Sequence, residues 1–214
     1  MNDMPWRAYS AGVLPFTIVD ERIYFLLGAD RVEMVFSDFG GRAEADDLGN
    51  HRTTAAREFF EETAGMVMDF GSAHARLLDM HRPQCVIHST TYGGMVYFMH
   101  VLDVPWTPEA VTAFHRVQSV LAKCTGADRY REKSALHWMP LETLRAEVHG
   151  TGARSELRSV FKHTLRGNWT RIDAYVNDMK KKSTPAHGDV QCTQPTGRGD
   201  HPTVAESAHR TAYW

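Results

Sequence analysis

Apolar and polar positions alternate early in the chain. Residues 11–19 and 22–27 are rich in β-branched and aromatic side chains, and Asp20-Glu21 between them suits a tight turn, so the pattern predicts a hairpin. Residues 32–36 form another short apolar run. Ser37-Asp38-Phe39-Gly40-Gly41 follows and reads as a loop. Residues 53–63 contain no Gly or Pro and give the strongest helical pattern. Residues 75–80, 85–88 and 95–104 then read as strands, the last stopped by Pro105. Pro108 suits the first turn of a helix whose buried stripe is Val111, Phe114, Val117 and Leu121. Residues 136–139 predict one more strand and 140–148 a helix, and 155–165 and 171–182 predict two separate helices. From Ser183 onward Pro, Gly, Thr, His and Asp dominate and no apolar period survives. Such a segment buries too little surface to offset its ordering entropy. The reading is one domain over residues 1–182 with a disordered tail over 183–214. Strands, a helix, strands and then helices give a mixed sheet with helices on its faces, an α/β class.

Composition narrows the partners. The formal charge of -2 calls for neither nucleic acid nor a membrane surface. Apolar runs such as residues 95–101 fall far short of the roughly 20 residues of a membrane span. The start, Met-Asn-Asp-Met-Pro-Trp, lacks the basic-then-apolar order of a secretory signal, so an intracellular, cytoplasmic location is expected. Cys85, Cys124 and Cys192 are scattered and odd in number, which fits a reducing compartment and no zinc site. The sequon Asn168-Trp169-Thr170 and the tripeptide Arg198-Gly199-Asp200 are short patterns that arise easily by chance.

Residues 53–65 carry the chemistry. On a helix, Ala55, Ala56, Phe59 and Phe60 fall on one side and suit packing on a sheet. Glu58, Glu61 and Glu62 fall on the other, at i, i+3 and i+4, where like charges repel one another. A hard divalent cation removes that penalty, because magnesium prefers carboxylate oxygens and is commonly shared with substrate phosphates. A solvated acidic face is the plainer alternative. Two neighbours favour the site: Arg57 lies i, i+4 before Glu61, and Gly40-Gly41 give backbone that a phosphate approaches closely.

The stretch from Gly41 to Met66 resembles the Nudix box, G-x5-E-x7-R-E-U-x-E-E-x-G-U, where U is bulky and apolar. Arg57, Glu58, Phe59, Glu61 and Glu62 match its R-E-U-x-E-E core without a gap. The hairpin and the Ser37–Gly41 segment look like the strands and loop that lead into the box. Residues 132–141 are similar to the family's late strand and following helix. The likeness covers roughly residues 8–148. It departs from the pattern at three places. Asp47, or the displaced Glu44, stands for the box glutamate before the helix. Nine residues separate Asp47 from Arg57, where the pattern has seven. Both Thr63 and Ala64 precede Gly65, so either the helix runs one residue longer or Ala64 takes the glycine position.

The resemblance implies a Nudix-type α/β/α sandwich with a mixed sheet. It implies a pyrophosphohydrolase that uses Mg2+ or Mn2+ to cleave a diphosphate linkage in a nucleotide, a nucleotide sugar or capped RNA. Glu58, Glu61 and Glu62 are the expected metal ligands, Glu61, Glu62 and Arg57 the expected catalytic residues of the helix, with Arg57 holding Glu61, and Gly40 and Gly41 face the phosphates. The general base is drawn either from Glu61 or Glu62 or from a later carboxylate, for which Glu132 is the candidate. Glu109 and Glu142 sit at expected helix starts, where a dipole interaction explains them. The expected partner is a small nucleotide-type diphosphate, with no membrane. RNA stays open as a substrate although the charge balance does not point to it, and the oligomeric state stays open too. Two other functions compete: a catalytically silent Nudix-fold binding or regulatory module, and an isoprenoid diphosphate isomerase, for which Cys85 would be the cysteine near the metal. Pro83, Lys180-Lys181-Lys182, Tyr92, Trp106 and Trp138 are the residues with some claim on substrate choice.

Overall fold

The computed structural model describes residues 9–91, 93–151 and 155–183. Tyr92, Cys192, the Arg198-Gly199-Asp200 tripeptide and the expected tail from residue 184 on lie outside the described residues.

The hairpin forms as expected: β1 (Tyr9–Val19) pairs antiparallel with β2 (Arg22–Asp30), with Val19 opposite Arg22. Asp20 and Glu21 both adopt positive φ, 47° and 58°, the geometry whose twist suits a two-residue hairpin. The segment read as a loop is instead sheet. Its parts are β3 (Phe36–Ser37), paired with β2, and β4 (Phe39–Arg42), paired with the first half of β1. Pairing supplies the backbone partners that two adjacent glycines alone do not predict.

β5 (Cys85–Thr90), β6 (Val96–Asp103) and β7 (Lys133–Pro140) complete a seven-stranded sheet of order β3-β2-β1-β6-β5, with β4 on β1 and β7 on β2. β1 and β6 run parallel and the other pairs antiparallel, so the sheet is mixed.

Alternation along β1 divides the core. Ala11 and Val13 face one side, with α1 (His51–Glu62), α2 (Phe70–Leu78) and α3 (Pro108–Leu121). Leu14 and Phe16 face the other, with α4 (Leu141–His149) and α5 (Ser159–Ser183). The result is a three-layer α/β/α sandwich. Each face buries large side chains completely, Phe39 and Phe59 on one and Phe16 and Phe25 on the other.

Three elements differ from expectation. Residues 75–80 are not a strand, because α2 covers Phe70–Leu78. The Asp69 side chain caps it by accepting from the Ser72 backbone N–H at 2.9 Å, and Ala73 and Leu77 bury at i, i+4. The two expected C-terminal helices are one, and α5 runs straight through Gly167. Its stripe of Phe161, Leu165, Trp169, Ile172 and Val176 packs on the sheet and outweighs the ~1 kcal/mol that a helical glycine costs. The stripe of α3 is rotated, with Ala110, Phe114 and Gln118 buried. Among the described residues no helix is long and apolar enough to cross a membrane.

Candidate functional site

The α1 glutamates are not a solvated face. Glu58, Glu61 and Glu62 are 8%, 5% and 3% exposed, beside an apolar stripe of Ala55, Ala56 and Phe59. Phe60 leaves that stripe and packs edge-on to Tyr130. Asn50 caps the helix by accepting from the Arg52 N–H at 3.0 Å. Thr63 ends it, donating its hydroxyl to the Phe59 carbonyl. Ala64 and Gly65 then both turn left-handed, at φ 51° and 67°.

β4 lies directly against these carboxylates. The Gly40 N–H donates to Glu62 Oε2 at 2.8 Å. A Cβ on Gly41 would stand 2.5 Å from Glu58 Oε1, so a larger residue there would displace that carboxylate. The glycines are therefore held in a strand rather than free to flex, and carboxylates fill the space beside them.

Arg57 organises the back of the site. Its guanidinium grips Asp47 with two bonds, Nε to Oδ1 at 3.1 Å and a terminal nitrogen to Oδ2 at 3.0 Å. The other terminal nitrogen donates to Glu58 Oε1 at 2.9 Å and Glu61 Oε2 at 3.1 Å. Asp47 is 1% exposed. Burial alone would raise its carboxyl, but Arg57, the Glu44 N–H and the Thr54 hydroxyl outweigh burial and hold it below the usual range. Asp47 thus anchors Arg57 at the place of the displaced box glutamate. A 3-10 turn over Ala45–Asp47 ends at this residue, and the left-handed Leu48 and Gly49 then carry the longer connection to α1.

Two further cations were not singled out in the sequence. Arg129 donates to Glu61 Oε1 at 3.1 Å. Lys133, 4% exposed on β7, places its ammonium 3.3 Å from Glu62 Oε1 and donates to Ser37 Oγ at 2.9 Å. Simple alternation would place Lys133 outward with Ala135 and His137, and a register shift between Ala29 and Asp30 in the β2–β7 pairing accompanies its inward direction. Asp38, also buried, accepts from the Tyr97 hydroxyl at 2.5 Å.

Carboxylates still outnumber cations, and the electrostatics record it. Burial pushes Glu58 up to about 7; Arg57 opposes, while Glu61 and Glu132 add to the rise. Burial pushes Glu62 up to about 8; Lys133 opposes, while Glu58, Glu132 and Asp38 add to it. Buried, crowded carboxyl oxygens are the donor chemistry a hard divalent cation prefers. Among the described residues no three Asp, Glu, His or Cys side chains converge as a finished ligand set. The oxygens of Glu58, Glu61 and Glu62 point instead to Arg57, Arg129, Lys133 and the Gly40 N–H.

A cavity of about 200 Å³ opens beside them. Gly40, Gly41, Glu62, Glu132, Lys133 and Arg158 all line it. Of the residues singled out in the sequence, four therefore meet at one cavity, with Glu58 behind Gly41 and Glu61 turned toward Arg57 and Arg129. Other sequence candidates are elsewhere. Cys85 is buried in the core on the α5 side, its thiol raised by that burial. The Pro83 carbonyl accepts from the Tyr175 hydroxyl, and Trp106 and Trp138 pack on one another. Lys180, Lys181 and Lys182 end α5.

No family model matches the chain, and neither does any curated protein. Solved structures do align with it. The NUDIX domain of Shewanella oneidensis NrtR, complexed with ADP-ribose, is 13% identical over 77% of this chain and 87% of that one, at a TM-score of 0.46. A C. elegans Ap4A hydrolase binary complex is 13% identical over 80% and 98%, at 0.43. A NUDIX hydrolase from Listeria monocytogenes is 14% identical over 77% and 96%, at 0.40.

Proposed function

We propose that this chain hydrolyses a diphosphate linkage in a nucleotide-type substrate, using Mg2+ or Mn2+ held by Glu58, Glu61 and Glu62. One observation carries the reading. Three glutamates of a single helix are buried against a glycine strand, with two of them pushed above the ordinary carboxyl range by that burial. Core packing gains nothing from such an arrangement, and a charged ligand offsets its cost. When bound, the metal would neutralise charge on the diphosphate and make a water more acidic.

The remaining roles belong to the chain itself. Arg57, locked on Asp47, fixes the rotamers of Glu58 and Glu61. Lys133 and Arg158 give the cavity two positive groups for phosphate oxygens. Gly40 and Gly41 leave room for the Tyr97 hydroxyl and the Glu58 carboxylate, and the Gly40 N–H holds Glu62. We assign Glu132 the general-base role, taking the proton of the attacking water, because it lines the same cavity and is exposed enough to stay hydrated.

The test is turnover on a panel of nucleoside triphosphates, ADP-ribose, dinucleoside polyphosphates and capped RNA, with millimolar magnesium or with chelator. Hydrolysis of at least one is expected, with loss in chelator and a ~100-fold lower rate for Glu62→Gln. Glu132→Gln should lower kcat more than it raises KM. Binding without turnover across the panel would favour the silent binding module instead. Robust hydrolysis by Glu62→Gln would sink the mechanism.

A further inference from the structure

Arg57, Arg129, Lys133 and the Gly40 N–H hold the oxygens of the three α1 glutamates, and they are not equally fixed. Arg57 is itself tied by two bonds to Asp47 and one to the Arg42 carbonyl. Lys133 is walled in, with its head bonded to Ser37 and lying over the Phe39 ring. The Gly40 N–H belongs to the backbone of a paired strand. Arg129 differs from all three. Its side chain is 55% exposed, whereas that of Glu61 is 7% exposed. Among the described residues its guanidinium makes one hydrogen bond, to Glu61 Oε1 at 3.1 Å.

The root of that side chain is pinned while its head faces solvent. Arg129 lies in the 3-10 turn Asp128–Tyr130, before β7. Gln118 donates to the Tyr130 carbonyl at 2.7 Å and Arg31 to the Arg131 carbonyl at 2.5 Å. The Tyr130 ring meets Phe60 of α1 edge-on. The turn therefore stays on α1 whichever way Arg129 points, and letting go of Glu61 needs only a change of rotamer. The other oxygen of Glu61 remains with Arg57, so the carboxylate keeps its place when Arg129 leaves. An exposed ion pair of this kind costs little to open, because water takes over the guanidinium.

We propose, resting on the metal-dependent hydrolase reading, that Arg129 is a displaceable cation, which holds Glu61 Oε1 in the metal-free protein and yields that oxygen to the divalent ion. Of the groups that occupy the glutamate oxygens, Arg129 alone can leave without breaking a buried network. A hard divalent ion competes well for the vacated oxygen, since carboxylates are its preferred donors. Arg129 thereby does two things. Without metal it offsets part of the charge that Glu58, Glu61 and Glu62 bring to one helix. With metal it sets a threshold, because the ion binds more weakly than it would to a Glu61 that had no second guanidinium to shed.

The experiment uses the full chain and reads metal binding with no substrate present. Mn2+ is titrated in, and the free ion is counted by electron paramagnetic resonance. Arg129→Gln should bind Mn2+ ~3–5-fold more tightly than wild type, the factor that losing an exposed ion pair predicts. Arg129→Lys keeps a cation at the position and should fall between the two. Arg131→Gln removes the same charge two residues along, where the side chain pairs with Asp128 and not with a glutamate, so it should leave the affinity as it is. A second readout follows the guanidinium proton–nitrogen signals in chelator and at saturating Mg2+, with that of Arg129 assigned by its loss in Arg129→Gln. The Arg129 signal should move to the position of solvent-exposed arginines when Mg2+ binds, while that of Arg57 stays apart. Equal or weaker Mn2+ binding by Arg129→Gln, an equal gain in Arg131→Gln, or an Arg129 signal unmoved by Mg2+ would each overturn the proposal. Any of these in a chain that hydrolyses its substrate overturns this inference alone. The expected gain in a chain that hydrolyses nothing supports the exchange and sinks the hydrolase reading. No Mn2+ binding by either protein would sink both.

Discussion

The ammonium of Lys133 and the carboxylate of Glu62 lie 3.3 Å apart, and both side chains are almost wholly buried. Neither has an ordinary structural reason to be inside. The Lys133 stem packs where a Cβ on Gly28 would stand, its head bonds Ser37, and Glu62 takes its other contact from the Gly40 N–H. Each charge makes the other tolerable. A buried pair of this kind adds little net stability, but removing one partner strands the other.

A double-mutant cycle reads that dependence directly. Lys133→Met and Glu62→Gln should each destabilise the metal-free protein, by ~1–3 kcal/mol in urea unfolding. The range lies below the usual cost of a broken buried pair because Glu62, already pushed up to about 8, can protonate when its partner is lost. The double variant should lose less than the sum, with a coupling above ~1 kcal/mol. Additive losses would mean that the pair does not function as a unit.

Glu61 should also cost stability when it is neutralised. Each of its oxygens accepts a guanidinium, one from Arg57 and one from Arg129, both at 3.1 Å. Repulsion among three like charges, read from helix spacing alone, would make Glu61→Gln stabilising in chelator. The two guanidinium bonds reverse that sign, and the variant should melt lower by a few degrees, from a loss of ~1–2 kcal/mol. The same change should also shrink the stabilisation that magnesium confers on the wild type. A higher melting temperature in chelator would restore repulsion as the larger effect.

Those two cations show where sequence reading stops. The R-E-U-x-E-E core lies within one helix, so its spacing alone places Glu58, Glu61 and Glu62 together with Arg57. Lys133 and Arg129 reach the same glutamates across about seventy residues of chain, and only the β2–β7 pairing and the turn before β7 bring them in. Asp47 was visible as a departure from the box, but its grip on Arg57 depends on a 3-10 turn that no periodicity announces. The loop expected over Ser37–Gly41 failed for a similar reason. Gly40 and Gly41 are there to admit carboxylates and the Tyr97 hydroxyl, and their strand pairing depends on β1. At α2 the apolar Ala75, Leu77 and Leu78 imitated a strand, while the deciding signal was the Asp69–Ser72 cap.

Ala64 holds a conformation that suits glycine. At φ 51° its Cβ crowds the following carbonyl, a strain of ~1 kcal/mol that glycine avoids. Ala64→Gly should therefore stabilise the protein slightly, raising the melting temperature by ~1–2 °C at most once the unfolded-state entropy of glycine is set against the relief. The Glu61, Glu62 and Gly65 contacts should stay in place, so metal response should not change. A lower melting temperature would show that the unfolded-state term outweighs the strain.

The last prediction concerns acid and a pair of histidines away from the carboxylates. His100, 1% exposed on β6, sits 2.9 Å from His51 through Nε2 and Nδ1, and its own Nδ1 has no partner among the described residues. His51 opens α1 and stacks on Phe98, whose edge also meets His88. Every titratable neighbour facing His100 is therefore a cation or becomes one. Burial lowers His100 to about 3, and His51, Arg52 and His88 push the same way. His51 is lowered too, first by burial and then by Arg52 and His88. A histidine with a depressed folded pKa binds fewer protons folded than unfolded. Its contribution is thus intact above the unfolded value of about 6.5 and falls as pH drops toward 3. From pH 6.5 to 4.5 His100 alone should cost ~2–3 kcal/mol. Glu58 and Glu62 act in the opposite sense, since acid relieves carboxyls whose folded pKa is raised. The clean measurement is therefore the difference between wild type and His100→Gln, in which those carboxyls cancel. Glutamine can still donate to His51 Nδ1 and does not titrate. Wild type should melt at the higher temperature near pH 7.5, and its advantage should shrink steadily to pH 4.5. A difference that stays constant over that range would mean that His100 accepts its proton in the folded state without penalty.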